Sequence, residues 1–444
     1  MRSARERGSL LPDHANSTDP AVQAQLDRLT MLSPGRDVLG LERITALMER
    51  LGNPHRALPP VFHVAGTNGK GSTCAFLRAG LEAAGKSVHV YASPHLVRFN
   101  ERIRIAGTLI EDSALAPLLA EVLDCSEDIH PSFFEATTAA AFLAFARTPA
   151  NAAVIEVGLG GRLDATNIIE APAVCGIAQL GIDHEAFLLD PDNGPAWPPL
   201  ERIAWEKAGI AKAGVPLVTM DYPAAMAARI EGAAAQVGAE WLPRKSQWDA
   251  ATYQGKLHYR DMGGKLSVPL PKLPGAHQAN NAALAIAMLR HQRAVPIPDA
   301  ALRALTGWAE WPARLQRLAP GPLIGARTVW LDGGHNVDGG KAIAAYFAGQ
   351  KIHLISGILA NKDARGLLEP FKKLAGTFTP LPVPGHPHHL PEALAEIGSE
   401  FGMKVIPAAT PKAAINAAPN GTILILGSLY LAGEVLRLND QMPH

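Results

Sequence analysis

Cysteine is nearly absent: 444 residues contain three, Cys74, Cys125 and Cys175, widely spaced and without a Cys-x-x-Cys pair. An odd, scattered set excludes a disulfide framework and a zinc ribbon and fits a reducing compartment. An excess of charge of either sign is also missing. Lys plus Arg and Asp plus Glu both number 41, so the whole molecule has no field with which to gather polyanions, and any phosphate chemistry has to be local. No nucleic-acid partner is expected. Long apolar runs are missing too, since the most apolar stretch, 136–145, is cut off by Arg147 and Pro149 before the roughly 18 residues that a membrane span requires. Residues 1–20 carry Arg2, Arg5, Arg7 and Asp13 without the apolar run of a secretory signal, and read as a disordered extension. The expectation is a soluble, cytoplasmic monomer with no membrane partner.

What is present is an ordinary globular composition, 48% hydrophobic and 18% charged. At this length two domains are expected. Short Val- and Ile-rich runs alternate with Ala- and Leu-rich helical stretches, which gives the fold class as α/β, a mostly parallel sheet flanked by helices. Strands are predicted at 61–65, 88–91, 153–157, 174–178 and 217–220, with helices at 72–84, 135–147, 200–211 and 279–290. After a break marked by Trp308, Trp311 and Pro312 the alternation restarts, with strands at 329–332, 352–356, 405–407 and 422–426. Ligands of open α/β sheets sit beyond the carboxyl ends of the strands. Chemistry should therefore gather after Ala65, Val157 and Leu331.

The strongest local signal is the run from Val61 to Thr73, VFHVAGTNGKGST, an apolar strand entering a glycine-rich turn and then a helix. Thr67, Asn68, Gly69, Lys70 and Gly71 can cradle phosphate: glycines let backbone N–H groups converge on anionic oxygens, the helix start adds its dipole, and Lys70 neutralises charge. Ser72 and Thr73 can ligate Mg²⁺. The strict phosphate-loop spacing is not kept, because Val64 stands at the first glycine position and Gly71 follows the lysine. A second strand, predicted at 153–157, carries Glu156 within it. A carboxylate among Val and Ile is costly to bury unless a cation meets it, either Mg²⁺ or, as the plainer alternative, Arg162 inside the sheet. His184 follows Asp183 after a further strand and could reach a metal beside Glu156, although a lone His is more often structural. Lys207 reads most simply as a solvated charge on an amphipathic helix.

In the second domain, Asp332, Gly333, Gly334, His335 and Asn336 follow a strand. They suit either a ligand approaching bare backbone or a turn with Asn336 or Asp338 as helix cap. The run His386, Pro387, His388, His389 lacks acidic or sulfur companions and reads as an exposed turn.

Together these segments resemble folylpolyglutamate synthase and its bifunctional form with dihydrofolate synthase, members of the Mur ligase superfamily. The resemblance is carried by the 65–73 loop, Ser93-Pro94-His95-Leu96, Asn100-Glu101-Arg102-Ile103, the 156–167 block, Asp183-His184, Glu206-Lys207-Ala208-Gly209-Ile210, His277–Asn281, Trp311–Arg314 and Asp332–Asn336. It implies an N-terminal P-loop ATPase-type domain over 21–308 and a smaller C-terminal Rossmann-like α/β domain over 309–444. It also implies ATP held by the loop, Mg²⁺ held by Ser93, Glu156 and His184, and a carbamylated Lys207 acting as an anionic metal ligand. Asn281, Arg314 and Asp332 correspond to nucleotide contacts from the far side of the cleft, with His335 in the same motif. Phe134, Glu135, Leu163, Asp164 and Ala165 map onto pterin-binding positions.

The implied reaction transfers the γ-phosphoryl group of ATP to the carboxylate of dihydropteroate or a reduced folate. The amine of L-glutamate then attacks the acyl phosphate, with domain closure about 308–312 excluding water. Another Mur-type amino-acid ligase and a non-catalytic nucleotide switch are the competing readings. The sequence departs from the family at 185–199, a Pro- and Trp-containing insertion where the family has a short stretch.

Overall fold

Runs of Val, Ile and Ala become the inner strands of two parallel-rich sheets in the computed structural model, which describes residues 15–32 and 39–444. The chain divides into two compact units, Met1–Lys272 with Ala279–Glu310, and Leu273–Gln278 with Trp311–His444.

The first unit holds β1 (Val61–Ala65), β2 (Val88–Tyr91), β3 (Ile103–Ile105), β4 (Thr108–Leu109), β5 (Ala152–Glu156), β6 (Val174–Ile177), β7 (Pro216–Thr219) and β8 (Glu240–Pro243), in the order β4-β3-β2-β5-β1-β6-β7-β8. All but β3 and β4 run parallel to their neighbours. β1, β5 and β6 are buried along their whole length, as expected for strands covered on both faces by helices. The chain leaves β1 towards β2 on one side and crosses after β5 to β6 on the other. The reversal places the crevice beyond the carboxyl ends of β1, β5 and β6. Register then fixes what lies there: Val64 pairs with Glu156, and Ala65 with Ile177.

The helix Phe133–Arg147 starts in a capping box between Ser132 and Glu135 and buries twelve of its residues from Phe133 to Phe145, Phe134 excepted. It is the apolar stretch of the sequence, used as a core helix. Among the described residues no helix is long and apolar enough to cross a membrane. Of the expected extension over 1–20, residues 1–14 lie outside the described residues. Ala15 is buried and Asp19 caps the helix Pro20–Met31.

A three-stranded antiparallel sheet that the sequence reading did not foresee follows: β9 (Trp248–Tyr253), β10 (Lys256–Asp261) and β11 (Gly264–Pro269). Its buried face stacks Trp248 on Tyr259 at 5.9 Å. Asp261, at the end of β10, is joined to Arg290 of the helix Ala276–His291 by two bonds of 2.8 and 2.9 Å.

The second unit contains β12 (Gln316–Arg317), β13 (Val329–Leu331), β14 (Ile352–Ser356), β15 (Ala375–Pro380), β16 (Lys404–Val405) and β17 (Thr422–Leu426), ordered β12-β13-β17-β14-β15-β16. Only β12 is antiparallel. The expected strands at 329–332, 352–356, 405–407 and 422–426 all appear, the third displaced to end at Val405. β15 was missed because AGTFTP has neither an aliphatic run nor clean alternation.

Arg290→Leu strands the nearly buried Asp261 carboxylate, which also accepts from Tyr259. It is expected to cost about 3–5 kcal/mol, the usual penalty for unpairing a buried ion, read as a lower urea midpoint for the first unit.

Candidate active site

The phosphate loop lies between β1 and the helix Lys70–Ala83. Its backbone is tied to the loop after β6, with the N–H groups of Thr67 and Asn68 both donating to the Gln179 carbonyl at 2.9 and 3.0 Å. The Thr67 hydroxyl donates to the Gly181 carbonyl at 2.9 Å. Gly69, with φ 85°, stands at the helix N-cap, and no side chain caps the helix. First-turn N–H groups have no intrahelical partner, so this uncapped start is shaped for an anion. Lys70 folds back over the loop, Nζ donating to the Gly66 carbonyl at 3.1 Å. The hydroxyls of Ser72 and Thr73 are buried without a hydrogen-bond partner, an arrangement that costs free energy until something polar meets them. Asn281 packs directly on Gly69, where a Cβ would collide with its amide. It therefore belongs to the first unit, on the loop itself, and not to the far side of a cleft.

Glu156 ends β5 beside this loop and is buried. Its charge and that of Lys70 both reach the Cys74 thiol, so acid and lysine share one neighbourhood. Among the described ion pairs, Arg162, the plainer alternative, is not matched with Glu156. Arg162 instead pairs with Glu206 at 3.1 Å.

Lys207 departs most from the sequence reading. In place of a solvated charge there is a side chain in the last turn of the helix Pro199–Ala208, 4% exposed. Burial, aided by the like charge of Lys70, pushes its pKa down to about 7 against the pull of Asp183, Asp164 and Glu206. His184 adopts a left-handed backbone (φ 53°) at the start of the helix Glu185–Leu188. Its backbone N–H donates to Asp183 Oδ1 at 2.8 Å. Ser93, half-buried, follows β2 and precedes a cis peptide bond to Pro94.

These residues suit a divalent cation. Hard oxygens and one imidazole are gathered at the carboxyl edge of the sheet, and Mg²⁺ is ordinarily held by one or two carboxylates together with substrate phosphates. Among the described residues no cluster of three His, Cys, Asp or Glu is assembled for a metal. A cation here would therefore need further oxygens, such as hydroxyls and substrate phosphates.

The expected substrate positions separate into two kinds. Phe134 is partly buried, lies on Gly158 and faces Tyr91 with ring centroids 5.8 Å apart. Leu163, which precedes Asp164, is half-buried. Glu135 and Asp164 have structural work to do. Glu135 caps its own helix from Oε2, which also pairs with Arg43 at 2.9 Å. Asp164, buried and raised in pKa by that burial, accepts from the N–H groups of Leu159 and Thr166 at 2.8 and 3.0 Å. Ala165 opens the short turn that Asp164 caps.

In the second unit Asp332 is buried, its pKa raised by desolvation, and its two oxygens accept from the N–H groups of Leu315 and Gly334 at 2.7 Å each. His335 Nδ1 donates to the Gly333 carbonyl at 2.9 Å. Arg314 Nη1 donates to the Ala313 carbonyl, also at 2.9 Å. Asn336 caps the helix Val337–Tyr346, so the helix-cap reading holds for that residue. The histidine turn is occupied internally, His386 stacked on Tyr430 at 3.7 Å and His389 bonded to the Lys362 carbonyl. What the sequence did not reveal is that Arg162 and Glu206 pair with each other. The adjacency of Glu206 to Lys207 was the one available signal.

A glycine loop at the switch point of a parallel sheet, with a second α/β unit following, places the chain among nucleotide-binding α/β proteins. No family model matches the chain. A folylpolyglutamate synthase of Lacticaseibacillus casei is 36% identical over 414 residues, 88% of this chain and 92% of that protein. The solved structure of Escherichia coli FolC in complex with DHPP and ADP superposes with a TM-score of 0.84 at 31% identity, covering 95% of this chain and 98% of that one. A bifunctional folylpolyglutamate synthase/dihydrofolate synthase with Mn, AMPPNP and L-glutamate bound gives 0.81 at 30% identity, covering 95% and 99%. The chain belongs to the folylpolyglutamate synthase/dihydrofolate synthase family.

Gly69→Ala places a side chain at a left-handed backbone position, which costs about 1–2 kcal/mol, and drives it into Asn281. The expected outcome is a loss of nucleotide affinity of about tenfold or more in calorimetric titration with ADP, with the fold retained by circular dichroism.

Proposed function

We propose that the chain ligates L-glutamate to dihydropteroate and to reduced folates at the expense of ATP, through an acyl phosphate. The observation that carries this reading is the uncapped, lysine-bearing helix start beside the strand-end Glu156, with a buried Lys207 in electrostatic reach of Lys70. The ligands named for the solved relatives are DHPP and ADP in one and Mn, AMPPNP and L-glutamate in the other. They support the same substrates here.

The loop N–H groups from Gly69 to Ser72 and the ammonium of Lys70 take the phosphates. They stabilise charge on the equatorial oxygens as the γ-phosphoryl group moves to the folate carboxylate. Ser93, Glu156, His184 and Lys207 are the residues that would hold Mg²⁺, which would supply further charge neutralisation at the phosphates. With a pKa near 7, a large share of the Lys207 amine is neutral at physiological pH, and the neutral amine is the form that adds to CO₂. Addition forms an N–C bond, releases a proton and turns a buried cation into an anionic oxygen ligand. Phe134 and Leu163 offer apolar surface for a pterin. In this reading Glu135 and Asp164 fix the walls of that surface through their backbone bonds. Arg314, Asp332 and His335 are proposed nucleotide contacts of the second unit. Three free cysteines, two of them buried, support a cytoplasmic setting.

The test is phosphate release with dihydropteroate or tetrahydrofolate, each with and without glutamate. Release that requires both substrates is expected, and release indifferent to either sinks the assignment. Lys207→Ala is expected to lower kcat by about 10²–10³, the scale on which one preorganised electrostatic group acts. A short carboxylate added to that variant should restore part of the rate where a short amine does not. Equal rescue by both would remove the carbamate from the mechanism.

A further inference from the structure

The insertion at 185–199 has a defined fold. It forms the helix Glu185–Leu188 and a turn at Pro191–Asn193, then delivers the chain into the helix Pro199–Ala208 that ends in Glu206 and Lys207. The insertion is fastened to that helix at several points. Arg202, 3% exposed, donates from Nη1 to the Pro195 carbonyl at 2.8 Å. Arg162 donates from Nη2 to the Asn193 carbonyl at 2.9 Å, while its Nε pairs with the buried Glu206 at 3.1 Å. Both guanidiniums lie over one ring, their carbons 4.6 and 5.3 Å from the centroid of Trp205. Trp197, at the end of the insertion, meets Trp205 edge-on at 5.9 Å and carries Arg229 over its own face at 3.9 Å. At the insertion's other end, buried Leu188 packs on Gly160 of the loop after β5.

Two like charges over one indole repel each other. The arrangement persists because Glu206 and three main-chain carbonyls, those of Asp190, Asn193 and Pro195, accept their hydrogen bonds and because the ring's π-face attracts both. Each accepting carbonyl belongs to the insertion, so the charges hold the segment as well as the ring. The segment begins at the residue after His184, whose left-handed backbone is disfavoured for a side-chain-bearing residue and needs its surroundings to hold it. It ends in the helix that carries Lys207. His184 and Lys207 therefore stand at the two ends of one clamped element.

We propose that Arg162, Arg202, Trp197 and Trp205 form a brace that locks the 185–199 insertion to the Pro199–Ala208 helix and so positions His184 and Lys207, with Trp205 its central positioning residue. The proposal rests on the assignment of His184 and Lys207 as metal ligands. It gives the segment a role: the path from His184 to the helix is made rigid by stacked arginines. Removing the ring leaves two unstacked guanidiniums in a half-buried site, and the slack is transmitted to both ligands.

The experiment measures Mn²⁺ binding to the full chain with AMPPNP by electron paramagnetic resonance, alongside kcat, the KM for ATP and the melting temperature. The proteins are the parent, Lys207→Ala, Trp205→Leu, Trp205→Phe and Arg229→Ala. Trp205→Leu is expected to weaken Mn²⁺ binding by about tenfold, as loss of groups that orient metal ligands does. It should lower kcat comparably while leaving the KM for ATP near the parent value. Trp205→Phe, which keeps a ring, should recover most of both. Arg229→Ala, which loosens only the rim, should shift both in the same direction by less, and it carries the comparison if Trp205→Leu does not fold. A fall in melting temperature with Mn²⁺ affinity and kcat unchanged in these variants reduces the cluster to scaffolding and overturns the brace. Loss on Lys207→Ala but not on Trp205→Leu or Arg229→Ala has the same effect. A parent whose Mn²⁺ binding ignores Lys207→Ala overturns the ligand assignment, and the brace with it.

Discussion

One close approach of backbone to backbone sets the whole first-unit site. The turn after β5 and the end of the Pro199–Ala208 helix meet where neither has room for a side chain. A Cβ on Gly161 would sit 2.8 Å from the carbonyl oxygens of Glu206 and Lys207, and one on Gly209 would sit 2.6 Å from the Arg162 Cα. The contact is sealed by the Arg162 N–H donating to the Glu206 carbonyl at 2.9 Å and by the Asn167 amide, which donates to the carbonyls of Arg162 and Gly209 at 3.0 Å each. Any larger residue at either glycine would part the two segments. Once they are joined, the last turn of the helix is covered, and Glu206 and Lys207 are buried in it.

Burying a lysine amine is unfavourable, and here the cost is turned into reactivity. Desolvation and the like charge of Lys70 disfavour the ammonium, while Asp183, Asp164 and Glu206 limit the fall. The balance leaves an amine near the midpoint of its titration at physiological pH instead of fully charged. The same exclusion of water raises Asp164 and the Cys74 thiol. A region in which acids and bases alike are pushed towards their neutral forms is one in which the charges of an arriving nucleotide and cation count for more. That explains why a chain with balanced charge overall can still bind phosphate: the field is local and little screened.

Much of this was legible in the sequence, for reasons that can be named. Strands β1, β5, β6, β14 and β17 are mostly apolar and almost wholly buried, without clean polar alternation, the mark of strands covered on both faces. Their carboxyl ends located the glycine loop and Glu156. What was not legible depends on partners distant in the chain. Arg162 is as plausible a partner for Glu156 six residues before it as for Glu206 forty-four residues on. Only the meeting of Gly161 with the helix end decides for the latter. Lys207 lies among residues that alternate as on any surface helix, and nothing local reveals that its face is covered. The β9–β11 sheet escaped because Trp248–Tyr253 and Lys256–Asp261 are polar on the outward face and are joined by turns without an Asn-Gly or Asp-Gly pair.

Asp164 and Asp332 show where motif reasoning blurs two kinds of necessity. Both sit in segments shared with the family, and both were assigned to ligands. Yet each acidic oxygen described is already met by a backbone N–H group, from Leu159 and Thr166 in one case and from Leu315 and Gly334 in the other. A carboxylate so engaged shapes a turn, and the turn shapes the site. Substituting it changes ligand binding by moving backbone, whether or not the carboxylate touches the ligand. A motif therefore marks dependence on a residue, while the hydrogen bonds say how that dependence is transmitted. For these two aspartates, as for Arg162 and Trp205, the transmission runs through the chain's own main chain.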